Sequence, residues 1–179
     1  MIFWVPVRRG GVFYFMEILE NELEEMIYSA SVCDLQRRGL HVFGHKMRQV
    51  NLGAYGRLDM LYVNRGNDFN PVSIKIIELK KDKLNATAFW QATRYAAGIK
   101  HWMRINRPDV DFEISILLIG KEIDVQGDFC FTADVFQNIR LYKYNLGFNG
   151  LFFTSVFEYH MNNHGFANRS KVIKPTING

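Results

Sequence analysis

Apolar residues recur at helical spacing over residues 16–30, where Leu19, Leu23, Met26, Ile27 and Ala30 form one stripe and acids fill most of the remaining positions. A basic turn, Gln36-Arg37-Arg38-Gly39, leads into a strand expected over 41–51. Leu58, Met60 and Tyr62 then alternate with Arg57, Asp59 and Leu61, the period of a second strand. Asn64-Arg65-Gly66-Asn67-Asp68 is turn chemistry, and Pro71 closes it. The third strand, Val72 to Lys80, is apolar until its end, as a central buried strand should be. Asn85 or Thr87 can cap a helix reaching about Ile105, which Asn106-Arg107-Pro108 stops. Phe112 to Ile119 reads as a fourth strand.

Beyond residue 120 the pattern weakens. Thr132 can cap a short helix, aromatic-rich pieces near 139–145 and 151–159 read as added strands, and 162–179 is polar. No repeat, low-complexity stretch or linker divides the chain, so 1–179 is expected to be one domain. Its core would span about 16–120 and a C-terminal α+β elaboration about 121–179. The order α-β-β-β-α-β predicts an α/β fold with a mixed sheet flanked by helices. Residues 1–15 read either as an extra strand or as an extension ahead of the domain.

Composition narrows this only slightly. An apolar fraction of 48% with 15% aromatics argues for a packed core rather than disorder. A net charge of +4 suits a phosphate-rich partner but is mild enough to occur without one. Cys33 and Cys130, the only cysteines, have no metal-like spacing and fit a reducing cytoplasm. Met1 to Val7 is apolar but too short for a signal core or a membrane span, and Arg8-Arg9 follow it rather than precede it. A cytoplasmic protein with no membrane partner is the expectation.

The chemistry concentrates in Gly56-Arg57-Leu58-Asp59, Ile77-Glu78-Leu79-Lys80 and Gln91-Ala92-Thr93-Arg94-Tyr95. Hydrolysing a phosphodiester calls for a metal that binds the phosphate and lowers the pKa of water. Mg²⁺, with Mn²⁺ as a substitute, takes oxygen ligands, usually one or two carboxylates plus waters and phosphate. Asp59 and Glu78 can supply that pair. Glu78 and Lys80 are two apart on one strand and share a face, so the ammonium can orient the attacking water or stabilise developing charge. Whether Asp59 faces the same way depends on strand register, which the sequence does not state.

Each residue also has a plainer reading. An isolated Glu-x-Lys at a strand end is ordinarily a solvated pair; at the end of a buried Ile-rich strand it would be costly unless paired or functional. Gln91 and Tyr95, four apart on a helix, could brace Lys80 or a substrate phosphate, or be a solvated amide and a core aromatic. In the first helix Glu20 falls three before Leu23 and seven before Ile27, on the inward stripe, where an acid needs a partner such as a metal. Glu24 is the second choice, and the other acids read as a solvated face. Arg57, Lys81, Lys83 and Arg94, with Lys100 and Arg104, could neutralise flanking phosphates or be ordinary surface charge. His41/His45 fall in a strand and His160/His164 near a polar tail, neither a good metal pair.

At these residues the chain resembles the PD-(D/E)xK nuclease superfamily, over roughly residues 16–120. Gln91-x-x-x-Tyr95 is similar to the motif that follows the lysine in RecB-type nuclease domains. The mismatch-type endonucleases look closer still, through Glu20-Asn21-Glu22-Leu23, Gly56-Arg57-Leu58-Asp59-Met60-Leu61 and Ile77-Glu78-Leu79-Lys80. The resemblance implies a restriction-endonuclease-like fold, Asp59 and Glu78 as metal ligands with Glu20 as an additional acid, and Lys80 as the residue that orients the water. It further implies Gln91 and Tyr95 as supporting residues and 5′-phosphate, 3′-hydroxyl products. Leu58 stands where the name motif has proline, a position that varies. About fifteen residues precede the first helix, with no counterpart of the mismatch enzymes' N-terminal dimerisation and DNA-binding domain, so mismatch specificity is not carried over.

The expectation is therefore a Mg²⁺-dependent DNA endonuclease of a bacterial, archaeal or phage-infected cell, in repair, recombination, restriction or phage biology. Cutting both strands at once needs two active sites, which a homodimer would provide. The alternatives are a non-catalytic nucleic-acid-binding or assembly module that retains the fold, and an enzyme acting on RNA or on structured DNA.

Overall fold

The computed structural model describes residues 18–66, 70–124 and 138–156. The elements are α1 (Glu20–Ser29), α2 (Val32–Arg37), β1 (His45–Asn51), a 3₁₀ turn (Gly53–Tyr55), β2 (Arg57–Asn64), β3 (Val72–Leu84), α3 (Ala86–Asn106), β4 (Phe112–Ile123), β5 (Ile139–Gly147) and β6 (Gly150–Ser155). The six strands form one mixed sheet in sequence order. β1, β2 and β3 run antiparallel to their neighbours, β3, β4 and β5 are parallel, and β6 returns antiparallel to β5. The protein is thus an α/β domain, as the order of patterned segments implies.

Alternation along β3 divides the core. Ile77 and Leu79 pack with Leu23, Ile27 and Leu35 of α1 and α2, together with Met60 and Tyr62 of β2. Ile74 and Ile76 pack instead with Ala88, Ala92, Tyr95 and Ile99 of α3. Helices therefore cover both faces of the sheet, which is why β3 and β4 can be apolar on both sides. The long helix starts where expected: Asn85 Oδ1 accepts from the Thr87 and Ala88 amides at 3.0 and 3.3 Å. It ends at Asn106, two residues before Pro108.

Three boundaries differ from the sequence reading. The basic turn at 36–39 is the end of a separate helix, α2, whose start is capped by Ser31 accepting from the Asp34 amide at 3.1 Å. β1 begins at His45 rather than His41. β3 and β4 each run about four residues further than their apolar stretches, to Leu84 and Ile123, which are themselves buried against the α3 side. The readings for residues 1–15, the Thr132 helix, His160/His164 and the 162–179 tail lie outside the described residues. No helix among the described residues is long and apolar enough to cross a membrane.

Among the described residues one buried hydroxyl is left without a partner. The Tyr62 hydroxyl is enclosed with no hydrogen bond among the described residues, and burial, reinforced by Tyr28, pushes its pKa up to about 12. Tyr62→Phe removes that orphan without opening a cavity, so it should leave stability unchanged or raise it by about 1 kcal/mol in urea unfolding. A loss of 2 kcal/mol or more would show that the hydroxyl is satisfied.

Candidate active site

β3 carries Glu78 and Lys80 just past the point where its pairing with β2 stops, while its pairing with β4 continues. The ladder between β2 and β3 stops at Met60↔Ile77. One step further Asp59 would stand opposite Glu78, but its carboxylate replaces the ladder: the Leu79 amide donates to Asp59 Oδ2 at 2.8 Å. β1 breaks at the same level. Arg48 pairs with Met60 and Val50 with Leu58, while Gln49, between them, has a φ of 52°. Met47 and Val50 consequently both pack toward α3, as do Leu58 and Leu61, so strict alternation slips by one across Gln49 and Asp59. A left-handed non-glycine inside a strand is a local cost borne at the candidate site.

Three acids, Glu78, Glu20 and Asp59, surround Lys80, and a fourth, Glu24, lies near Asp59. Lys80 Nζ donates to Glu78 Oε1 at 2.7 Å and lies 3.9 Å from Glu20 Oε1. The other Glu20 oxygen accepts from the Lys81 amide at 3.3 Å, tying the start of α1 to the end of β3. Glu24, 9% exposed, accepts from the Gln49 side-chain amide. Glu78 is fully buried, and its Oε2 has no hydrogen-bond partner among the described residues.

The electrostatics follow from that crowding. Burial and then the Asp59 charge raise the Glu78 pKa to about 7, with Lys80 offsetting only part of the rise. Burial also raises Asp59, partly countered by the Leu79 amide and Lys80. For Lys80, burial pulls the pKa down, but the hydrogen bond and charge of Glu78, with Glu20 and Asp59, hold it above the usual lysine value. Lys80 is therefore an ammonium at neutral pH, a donor rather than a base.

Asp59, Glu78, Glu20 and Lys80 thus come together, with one correction to the sequence reading. Glu24, not Glu20, is the buried acid of α1; Glu20 sits at the helix start, where it reaches Lys80 and the Lys81 amide while remaining part-exposed. Gln91 and Tyr95 bond to each other, Nε2 to hydroxyl at 2.7 Å, and neither is hydrogen-bonded to Lys80 among the described residues. Tyr95 also seats the entry to β2. Tyr95 is buried against Gly56, whose φ is 103°; a Cβ there would lie 3.0 Å from Tyr95 Cε1 and 3.3 Å from an Arg94 nitrogen. Gly56→Ala should therefore cost about 1–3 kcal/mol in thermal or urea unfolding. A neutral result would mean that the β2 entry is not held as described.

All four predicted phosphate contacts, Arg57, Lys81, Lys83 and Arg94, are exposed. Lys81 pairs with Asp82 at 3.6 Å and Lys83 with Asp124 at 2.9 Å. Sequence reasoning missed Gln49, because nothing in a glutamine signals a left-handed backbone, and the Leu79 amide, because backbone donors have no sequence signature. A separate apolar cleft of about 890 Å³ lies between α3 and the β1–β2 side, and none of the site acids lines it.

The donor set fits a hard divalent cation. It is all oxygen, it carries more negative charge than Lys80 neutralises, and it leaves one buried carboxylate oxygen unsatisfied. Among the described residues no group of three His, Cys, Asp or Glu side chains is placed to hold a metal ion, and Lys80 holds the near oxygen of Glu78. Comparisons of the chain with protein-family models, with curated proteins and with solved structures find no match, so a functional reading rests on this geometry.

Proposed function

We propose that this chain is a metal-dependent DNA endonuclease on a restriction-endonuclease-like α-β-β-β-α-β core. The observation that carries the reading is Glu78. A carboxylate buried in the middle of a central strand, paired on one oxygen and orphaned on the other among the described residues, is expensive to keep unless something binds it.

Asp59 and Glu78, with Glu20, would hold Mg²⁺ or Mn²⁺, which when bound polarises a phosphodiester and makes a water more acidic. The protein's own groups do the rest. Lys80, kept protonated by its carboxylate neighbours, donates toward an attacking water or the non-bridging phosphate oxygens and stabilises charge as it develops. The Leu79 amide fixes one oxygen of Asp59 and leaves the other free to bind. Gln49 holds Glu24, and Tyr95 with Gly56 fixes where β2 enters the site. Arg57, Lys81 and Arg94 would neutralise phosphates beside the cut. Two copies would be needed to cut both strands together.

Titrating Mg²⁺ and Mn²⁺ into the protein by calorimetry tests this directly. Binding should be measurable in the wild type and weakened at least about 10-fold by Asp59→Asn. Absence of any metal binding would favour the non-catalytic nucleic-acid module.

A further inference from the structure

Phe148 is 94% exposed, the most exposed large apolar side chain among the described residues. It occupies a tight hairpin: Gly147 pairs with Gly150, Phe148 and Asn149 make the turn, and Gly150 takes a φ of 101°. Turn tips of this kind favour Asn, Asp, Gly or Ser, which suit the backbone and face water at no cost. Phenylalanine offers the turn nothing.

The tip is also held firmly. Arg38, at the end of α2, donates from Nη1 to the Asn149 and Leu151 carbonyls at 3.3 and 3.2 Å, and its guanidinium lies 5.5 Å from the Phe152 ring centroid. The Phe153 amide donates to the Arg38 carbonyl at 2.8 Å. At the base of the hairpin the Tyr144 hydroxyl donates to the Lys81 carbonyl, linking β5 to the residue after Lys80.

Topology points this tip to the side of the candidate site. β5 is parallel to β4 and β4 to β3, and the register runs from Lys80 to Gly120 to Lys143. Phe148 is therefore two strands across and five residues beyond Lys80. At ~4.8 Å between strands and ~3.3 Å per residue this is a separation of roughly 15–20 Å. At ~3.4 Å per base along one strand it corresponds to about five base steps. Lys81, 3.6 Å from Asp82, follows Lys80 on β3, and Lys143 stands level with Lys80 on β5, so a phosphate backbone running from the site to the tip would pass both.

We propose that Phe148 is a wedge that enters the base stack of bound DNA about five steps from the scissile phosphate, so that the protein selects duplexes that open readily. This deepens the nuclease reading and rests on it. An apolar side chain inserted from a rigid support is how proteins part a base step without reading its sequence. Stacking on an aromatic ring is likewise tolerant of sequence.

The test uses a 30-base-pair duplex carrying 2-aminopurine at successive positions, with full-length protein in EDTA at low salt so that nothing is cut. Wild-type protein should bind and raise the emission about twofold or more. Phe148→Ala should bind about 10-fold more weakly and leave the emission at that of free duplex, and Phe148→Trp should restore both. Equal affinity and emission for wild type and Phe148→Ala, or no binding by wild type, would overturn the wedge. So would a wild-type dimer that Phe148→Ala converts to monomer, which would assign the tip to a second copy of the chain. Cleavage is scored separately. A wedge signal without cleavage removes only the catalytic reading, whereas cleavage without the signal removes only the wedge.

Discussion

Glu78→Gln should be inactive and more stable than the wild type at alkaline pH. In the folded protein Glu78 titrates at about 7, against an ordinary value of 4.5. A carboxyl whose pKa is raised by folding contributes stability that is fully present below pH 4.5 and is lost as pH rises through 7. At pH 8 the wild type therefore carries the cost of an ionised buried acid, on the order of 3 kcal/mol with the opposing effect of Lys80 already included. Glutamine, of the same shape and neutral at every pH, does not. Urea unfolding of both proteins should give similar stabilities near pH 4.5 and a gap favouring the variant at pH 8. Adding Mg²⁺ at pH 8 should narrow the gap by stabilising only the wild type. Cleavage by the variant should fall by about 1,000-fold or more, because a ligand and a charge are lost together. A variant less stable than wild type at pH 8 would show that Glu78 is satisfied in the apo protein, and the argument from burial would fail.

Lys80→Ala should act in the opposite direction on stability and the same direction on activity. Removing the ammonium leaves Glu78 with Asp59 and Glu20 beside it and no cation within contact. Breaking one side of a buried pair costs about 3 kcal/mol when the remaining charge stays ionised. Below pH 5 Glu78 can take a proton instead, so the loss should be largest at pH 8 and small in acid. Cleavage should drop at least about 100-fold, the scale of losing one group that stabilises transition-state charge. Metal binding should survive, since Lys80 is not a ligand. A stable, active Lys80→Ala protein would return the Glu-Leu-Lys segment to an ordinary strand end.

Much of this was legible in the chain, for identifiable reasons. β2, β3 and β4 show themselves through alternation or β-branched runs, and α3 through its Asn85 cap and the stop before Pro108. The pairing of Glu78 with Lys80 follows from their spacing of two, which the 2.7 Å contact realises. α2 escaped because six residues burying only Leu35 carry no periodic signal. The spacing predicts Glu20 on the buried stripe, which Glu24 occupies instead; both lie near that stripe, and only the packing of α1 against β3 decides which is covered and which meets Lys80. Asp59 could be nominated but not placed, since its position depends on a register that ends at Met60↔Ile77 and on a backbone break at Gln49. Such breaks at a site are where local rules are expected to fail. Phe148 is conspicuous only once the hairpin that exposes it is known.

The central claim is that Asp59, Glu78 and Lys80 cut phosphodiesters, and it is tested most directly by cleavage of a labelled panel. The panel comprises single-stranded DNA, duplex, mismatched duplex, flap, junction and RNA, each given wild type or Lys80→Ala with Mg²⁺, Mn²⁺ or EDTA. The account predicts cutting of at least one DNA by the wild type with either metal, none in EDTA, and none above background by the variant. Cutting that persists in EDTA or in Lys80→Ala, or no cutting of any substrate by the wild type, would contradict it.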